Sequence, residues 1–172
     1  MATAKEQFLE SFDREHSITM RVLRAFPADK ADLRPHPKLK TARELAWVFA
    51  LERALGMAIW NDEFAKRAPS GTPPKPPEKW SDVLAAIEKA HQDFRAVIAS
   101  ASDATLSGKV HFFTAPKTMG ETTRIDWIWF LLHDEIHHRG QFSIYMRFTD
   151  AKLPSIYGPT RMSRGSSVAC RK

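Results

Sequence analysis

Apolar side chains recur every three or four residues along four long segments of the chain, a spacing typical of amphipathic helices. The segments run from about Ala4 to Phe26, from Thr41 to Arg67, from Ser81 to Ser100 and from Thr122 to Thr149. No strand pattern competes with them. The pattern therefore predicts an all-α fold, and four long helices in one domain predict a four-helix bundle.

Local signals support where these helices begin. Thr41 is a predicted N-cap because Glu44 follows three residues later, as in a capping box. Asp82 falls in the first turn of the third helix, where the helix dipole favours an acid. Prolines 27, 35 and 37 break the chain between the first two helices.

The connections bear on the order of the helices. Pro69 to Lys79 reads P-S-G-T-P-P-K-P-P-E-K, and polyproline-like chain of this length reaches roughly 30 Å. A helix of about 25 residues is roughly 37 Å long. This linker can therefore traverse most of a bundle, and Ala101–Glu121 is also long. The lengths are compatible with an up-down-down-up bundle with long crossover connections; a slack loop between antiparallel neighbours is the alternative.

The net charge of +6 is concentrated at the C-terminus. A chain of 172 residues suggests one domain, and we assign residues 1–159 to the helical domain and residues 160–172 to a basic tail. Four cations and no acid fall in residues 161–172, and removing them leaves +2. We expect this Ser/Gly-rich tail to be disordered and dispensable for stability, and the folded domain to lack a specific nucleic-acid face.

The remaining composition is typical of a soluble globular protein. The N-terminal residues carry charges throughout and show no apolar signal-peptide core. The longest apolar run, Trp127–Leu132, is too short to span a bilayer, so no membrane association is expected. Cys170 is the single cysteine, which excludes an internal disulfide and makes the cytoplasm the expected location. The chain has five tryptophans. Aromatic side chains exposed on the faces of the bundle would be compatible with a homodimer.

Two apolar stripes contain a polar residue that needs an explanation. Glu52 interrupts the stripe of the second helix, and a carboxylate that faces a core needs a partner, a metal or a proton. The alternative is that Glu52 lies at the edge of the stripe and reaches water. His91 interrupts the stripe of the third helix, where a histidine is more often hydrogen-bonded within the core than bound to a metal.

The fourth helix contains the densest polar cluster, L-H-D-E-I-H-H-R-G-Q-F from Leu132 to Phe142. His133 and His137 are four residues apart, as are Asp134 and His138, and either pair could bind one divalent ion. Periodicity favours the second pair, because both residues share a stripe that should face the other helices. His133 and His137 should be more exposed than His138. The segment differs from H-E-x-x-H, so the zincin interpretation is weak.

The motifs H-H-R-G-Q-F, Y-M-R and L-P-S-I-Y-G-P resemble the DinB-like superfamily, as do R-P-H-P-K at 34–38 and A-R-E-L-A-W at 42–47. The resemblance spans most of the chain. It implies a four-helix bundle, and the superfamily includes metal-dependent thiol transferases and related isomerases.

The resemblance also implies a metal site. Members commonly bind a divalent metal through one histidine on the second helix and two histidines four apart on the fourth. The H-R-G-Q ligand corresponds to His138, but Asp134 and Val48 stand at the other two positions. Glu52 lies one turn beyond Val48 and offers a replacement. The expected metal ligands are therefore Glu52, Asp134 and His138, a set suited to Zn, Mn, Fe or Ni.

The function implied by this resemblance is metal-dependent thiol transfer or hydrolysis of a small-molecule substrate. The thiol would come from a low-molecular-weight cofactor, because Cys170 lies in the tail. Glu52 or His137 could serve as a general base. The alternative is a non-catalytic stress-response or ligand-binding protein that has lost the metal. Catalytic residues remain unassigned at this level.

Overall fold

The computed structural model describes residues 1–66 and 71–158, so the expectations for residues 160–172 lie outside the described residues. The chain is mostly helical, with one short hairpin and a single 3-10 turn at Ala28–Lys30 in the described part. In chain order the other elements are α1 (Ala4–Ala25), α2 (Ala42–Trp60), α3 (Glu63–Lys66), α4 (Trp80–Ser100), α5 (Asp103–Ser107), β1 (Lys109–Ala115), β2 (Thr118–Thr123) and α6 (Arg124–Met146).

Three of the four long helices, α1, α2 and α6, begin at side-chain caps. The capping box predicted at Thr41 is present: its hydroxyl accepts from the Glu44 amide, and the Glu44 carboxylate accepts from the Thr41 amide. Thr3 and Glu6 form the same reciprocal pair at the start of α1. These caps satisfy amide donors that a helix leaves unpaired at its first turn.

The predicted second helix is wrong in its length, because α2 ends at Trp60 rather than near Arg67. Asp62 has a φ of 53°, a left-handed conformation that a continuing helix cannot contain. The Asp62 carboxylate accepts a hydrogen bond of 2.7 Å from the His111 amide. This contact ties the break after α2 to β1, so a tertiary interaction accompanies the end of the helix.

The expectation that the chain contains no strand is also wrong. Residues 109–123 form an antiparallel hairpin that pairs Lys109 with Thr123, with a bulge between Phe113 and Ala115. Lys117 has a φ of 62° in the turn that joins the strands. Phe112 packs against Trp127 with ring centroids 4.2 Å apart. Val110 is the one buried residue of the two strands, which leaves little of the alternation by which a strand is recognised.

Each long helix packs against two others: α1 and α2 both contact α4 and α6. The Lys5 ammonium donates to the Ala101 carbonyl at 2.7 Å, and Phe26 contacts Trp80 with centroids 5.5 Å apart. The start of α1 therefore lies beside the end of α4, and these helices run in opposite directions.

Contacts with α6 orient the other two long helices. Phe8 packs on Trp129 with centroids 5.1 Å apart, so α1 and α6 begin at the same end and run in the same direction. The Arg124 guanidinium donates to the Trp60 carbonyl at 2.9 Å, and the Tyr145 hydroxyl donates to the Lys40 carbonyl at 2.8 Å. The start of α6 thus lies beside the end of α2, and α2 runs opposite to α6.

Two apolar clusters fill the space between the long helices, one around Phe49, Trp80 and Phe142 and the other around Phe12, Phe94 and Trp127. Polar and charged residues from the middle of the four long helices are buried as well. These residues are Glu15, His16, Thr19, Glu52, Arg53, His91, Glu135 and Arg139. None of the helices in the described ranges is long and apolar enough to cross a membrane.

Candidate metal centre

Glu52, Asp134 and His138 lie together between α2 and α6, and each offers one ligand atom within 4.8 Å of the other two. The His138 Nε2 atom is 3.3 Å from the Glu52 carboxylate and 3.7 Å from the Asp134 carboxylate. Asp134 and His138 are one turn apart on α6, and Glu52 faces them from the middle of α2. The structure therefore brings together the three residues that the sequence indicated.

Glu52 is the most buried of the three, at 5% exposure. The alternative that it lies at a stripe edge and reaches water is wrong. Neither of its carboxylate oxygens has a hydrogen-bond donor among the described residues. Burial raises the pKa of Glu52 to about 9, and although Arg53 opposes this shift, the charges of Asp134 and Glu135 add to it. Without a metal, Glu52 therefore holds a proton at neutral pH.

The orientation of His138 leaves one ring nitrogen free for a ligand role. Its Nδ1 atom is 3.0 Å from Gln141 Oε1, and because a carbonyl oxygen can only accept, Nδ1 carries the proton. The Gln141 amide in turn donates to His137 Nε2 at 2.8 Å. This chain directs the lone pair of His138 Nε2 towards Glu52 and Asp134, as neighbouring hydrogen bonds do for metal-binding histidines.

The donor set fits a divalent cation. Two carboxylates and one imidazole lone pair converge without a donor hydrogen bond between them, so either a cation or the proton on Glu52 must stabilise the cluster. Ligand atoms around one zinc ion lie roughly 3–4 Å apart, close to the two distances from His138 Nε2. Asp134 is 36% exposed, so this side of the cluster is accessible to solvent.

The face of α6 that points inward is rotated from the one predicted. Trp127, Leu131, Phe142 and Tyr145 are buried as expected, but Asp134 and His138 are only partly buried. Glu135 and Arg139 are the buried charges. His133 and His137 are exposed, so His138 is the least exposed of the three histidines, as predicted.

Glu135 joins α6 to both α1 and α2. Its carboxylate forms a buried ion pair with Arg53 and accepts a hydrogen bond of 2.7 Å from the Thr19 hydroxyl. The Arg53 guanidinium also lies over the Phe12 ring, 4.6 Å from its centroid. Arg53 and Glu135 directly follow Glu52 and Asp134 in sequence, so this ion pair joins α2 to α6 beside the candidate centre.

Arg139 makes the second buried pair, with Glu15 on α1 at 2.7 Å. Arg139 therefore pairs with α1 rather than with Glu52. The Tyr157 hydroxyl donates to the same Glu15 carboxylate at 2.6 Å. Burial pushes the pKa of Glu15 upward, but hydrogen bonds from Tyr157 and Arg139 outweigh it and hold the pKa below its ordinary value. Tyr157 belongs to the P-S-I-Y-G-P motif, which thus anchors the chain that follows α6.

His91 is a core histidine rather than part of the candidate site. Its ring stacks on Phe12, 4.3 Å away, and on His16, 3.7 Å away. Its Nε2 atom is 3.2 Å from the Asp13 carboxylate. Burial is the main cause that lowers the pKa of His91 to about 2, and electrostatic interactions with His16, Arg53 and Arg95 add to it. The ring is therefore neutral at physiological pH.

A pocket of about 430 Å³ opens beside His138, between the end of α6 and the chain that precedes α2. His138 and Gln141 form one wall of it, and Leu45 and Tyr145 form part of the apolar surface. Val48, the position at which the resemblance implies a histidine, lines a separate pocket together with Trp47 and Leu51. The helix-two contribution to the candidate centre is therefore Glu52.

Comparisons with known proteins agree with the fold. The chain is 23% identical over 156 residues to the uncharacterized protein YrdA of Bacillus subtilis (strain 168), covering 91% of this chain and 89% of the relative. A DinB-like protein from Bacillus cereus ATCC 10987 superposes with a TM-score of 0.70 at 20% identity, covering 87% of this chain and 95% of that chain. YjoA, a DinB-like protein from B. subtilis, superposes with a TM-score of 0.65 at 15% identity, covering 87% and 97%.

A sequence model of a protein family also matches this chain. The model of the DinB family aligns with residues 1–165, nearly the entire chain. This match includes the H-R-G-Q and P-S-I-Y-G-P motifs, whose residues contribute His138 to the candidate centre and Tyr157 to the buried network. The chain therefore belongs to the DinB family.

Proposed function

We propose that Glu52, Asp134 and His138 bind one divalent metal ion, and that the protein is a metal-dependent transferase or hydrolase acting on a small molecule. The observation that carries this proposal is the Glu52 carboxylate. It is buried without a hydrogen-bond donor among the residues that the structure describes, and it faces the free nitrogen of His138 at 3.3 Å. Leaving a buried carboxylate unsatisfied is costly. A cation at this point would satisfy Glu52, Asp134 and His138 together.

A bound Zn, Mn or Fe ion would act as a Lewis acid and lower the pKa of a water or thiol. Three protein ligands are compatible with further positions open to such a group. The chain's own residues would orient the site: Gln141 fixes the ring of His138 and connects it to His137. His137 is exposed, and its Nε2 accepts a hydrogen bond from the Gln141 amide.

The pairing of the long helices supports an up-down-down-up four-helix bundle as the framework of this site. α1 runs opposite to α4 and in the same direction as α6, while α2 runs opposite to α6. In such a bundle α2 and α6 are antiparallel neighbours, so their middle residues meet. Glu52 and the pair Asp134 and His138 come from the middle of these two helices, where packing on both sides restricts their movement.

Metal binding to matched variants tests this proposal. Chelator-treated protein is loaded separately with Zn²⁺ and Mn²⁺, dialysed, and assayed for metal by mass spectrometry and for affinity by chelator competition. We expect one metal per chain. Asp134→Ala and His138→Ala should each weaken binding by more than about 100-fold, because loss of a supporting contact alone typically costs about 10–100-fold. Far-UV circular dichroism should remain that of the parent.

His133→Ala is the matched control, because it removes a histidine one turn earlier on α6 that is exposed. We expect it to bind metal as tightly as the parent. If His133→Ala weakened binding as much as His138→Ala, the metal would lie elsewhere on α6. If the parent retained no metal after loading with either ion, the non-catalytic ligand-binding alternative would replace the proposal.

A further inference from the structure

The pocket beside His138 has two chemically different parts. Its walls carry exposed apolar side chains, with Leu39 at 45% exposure, Ile144 at 53% and Phe148 at 59%. It is also lined by the basic residues Lys38 and Lys40 and by His36, which we call its rim. We propose that this pocket binds an amphipathic organic anion, with the acidic group at the lysines and the apolar body against Ile144, Tyr145 and Phe148.

The charges around the pocket favour an anion. No aspartate or glutamate lines it, and neither Lys38 nor Lys40 has a carboxylate within 4.0 Å in residues 1–66 and 71–158. A divalent metal would offset the two carboxylates of the neighbouring centre. The lysines would then leave a net positive potential at the rim, which attracts an acidic ligand and disfavours a basic one.

The apolar walls favour a ligand with a hydrophobic body. Large apolar side chains at about half exposure gain from being covered, because removing their surface from water is favourable. The volume of about 430 Å³ lies within the range of pockets that enclose small organic ligands. A purely inorganic anion would satisfy the lysines but would leave Leu39, Ile144 and Phe148 exposed to water.

Hydrogen bonds hold the loop that carries the lysines. The Tyr145 hydroxyl donates to the Lys40 carbonyl at 2.8 Å, and the Arg34 guanidinium donates to the Leu39 carbonyl at 2.6 Å. The Lys38 amide donates to His36 Nδ1 at 3.2 Å. The loop backbone is therefore positioned before a ligand arrives, which reduces the entropy lost on binding.

The pocket meets the candidate metal centre at His138, which belongs to both. An anion bound in the pocket would lie beside the metal, so we infer that such anions are the substrate class of the metal centre. This part of the inference rests on the proposed function. Binding of the anion itself requires only the pocket. The two proposals can therefore be tested separately, by measuring ligand binding with and without metal.

Calorimetric titration with three ligands of the same shape tests the charge preference. The probes are 4-phenylbutyrate, which is anionic, 4-phenylbutyramide, which is neutral, and 4-phenylbutylamine, which is cationic. Each is titrated into Zn²⁺-loaded and chelator-treated full-length protein. We expect the butyrate to bind about tenfold more tightly than the amide in both forms, since two nearby cations each contribute modestly, and the amine to bind most weakly.

Two double variants, each lacking two positive charges, test whether Lys38 and Lys40 cause the preference for the anionic ligand. Lys38→Met/Lys40→Met removes the cations of the rim while keeping apolar stems, and the butyrate and amide should then bind within twofold of each other. Lys66→Met/Lys117→Met removes two exposed lysines outside the pocket, and the tenfold preference should remain.

The outcomes separate this inference from the metal proposal. If chelator-treated protein binds the butyrate more tightly than the amide, and this difference depends on Lys38 and Lys40, the anion pocket is supported even if no metal is retained. Equal binding of butyrate and amide to metal-loaded parent would overturn the inference while leaving the metal proposal intact. A preference that survives Lys38→Met/Lys40→Met would also overturn it, because the anion would then be recognised elsewhere.

Discussion

Neighbouring residues on α2 and α6 form two polar regions with opposite properties. In each case one residue belongs to the candidate metal centre and the next belongs to the buried ion network. The three neighbouring pairs are Glu52 and Arg53, Asp134 and Glu135, and His138 and Arg139. One step along a helix rotates a side chain by about 100°, so each residue faces a different set of partners from its neighbour.

The difference between the regions lies in how their charges are matched. In the network, Glu135 faces Arg53 and Glu15 faces Arg139, so each acid has a cation. In the centre, Glu52 has no hydrogen-bond donor within residues 1–66 and 71–158 and meets acceptor atoms. Burial is common to Glu52 and Glu135, so burial alone does not separate a structural carboxylate from a candidate ligand. The two carboxylates differ in whether a positively charged or hydrogen-bonding partner faces them.

The largest effect should come from breaking the network. Arg53→Met leaves the Glu135 carboxylate buried without its cation, and we expect the free energy of unfolding to fall by about 3–5 kcal/mol. Urea denaturation of the metal-free protein measures it. Arg53→Met/Glu135→Met should recover most of the loss, because both charges are then absent. Equal stability of Arg53→Met and the parent would show that Thr19 and neighbouring groups satisfy Glu135 without Arg53.

Glu52→Gln should have the opposite profile, with a large loss of metal affinity and no loss of stability in the metal-free fold. The amide keeps the shape but removes the anionic ligand, so metal affinity should fall at least 100-fold, or about 2.7 kcal/mol. Chelator competition measures this loss. Binding equal to that of the parent would exclude Glu52 as a ligand.

The same variant should change the pH dependence of the metal-free protein. The pKa of Glu52 is raised to about 9 in the folded state, so its contribution to stability is complete below about pH 4.5 and is lost as the pH rises towards 9. Glutamine has no proton to lose. Urea denaturation in chelator at pH 5, 7 and 9 should therefore show a smaller decline for Glu52→Gln than for the parent.

A smaller effect should come from His91, because burial of its ring favours the neutral form. Its pKa is lowered to about 2, so the stability it contributes is complete above about pH 6.5 and is lost as the pH falls. At pH 5 the expected loss is about 2 kcal/mol. Titratable or charged neighbours on α1, α2 and α4 are His16, Asp13, Arg53 and Arg95.

Replacing the ring tests this dependence. His91→Phe should reduce the drop in unfolding free energy between pH 7 and pH 5, while His133→Phe, at an exposed position on α6, should not. A drop equal to that of the parent in His91→Phe would assign the acid sensitivity to another group, with His16 next to be tested because burial also lowers its pKa.

Local patterns in the sequence were sufficient for the four long helices and for the capping box at Thr41, because helical periodicity and cap hydrogen bonds involve residues a few positions apart. The pairing of Asp134 with His138 was likewise predictable from their spacing of four. The resemblance and the apolar stripe added Glu52, whose carboxylate interrupts an otherwise hydrophobic face. These three residues are together in the structure.

Tertiary contacts decided the rest. α2 ends where Asp62 meets His111, 49 residues further along the chain, and the hairpin that carries His111 buries too little of itself to show a strand pattern. Helix periodicity placed Asp134, Glu135, His138 and Arg139 near one another but did not specify which pair faces inward. Glu15, Thr19 and Arg53 on other helices provide the partners that make burial of Glu135 and Arg139 favourable. Because the energy of a buried charge depends on its partners, the sequence determined which charges lie on α6, and only the packing of the helices determined which became structural and which remained free to bind a ligand.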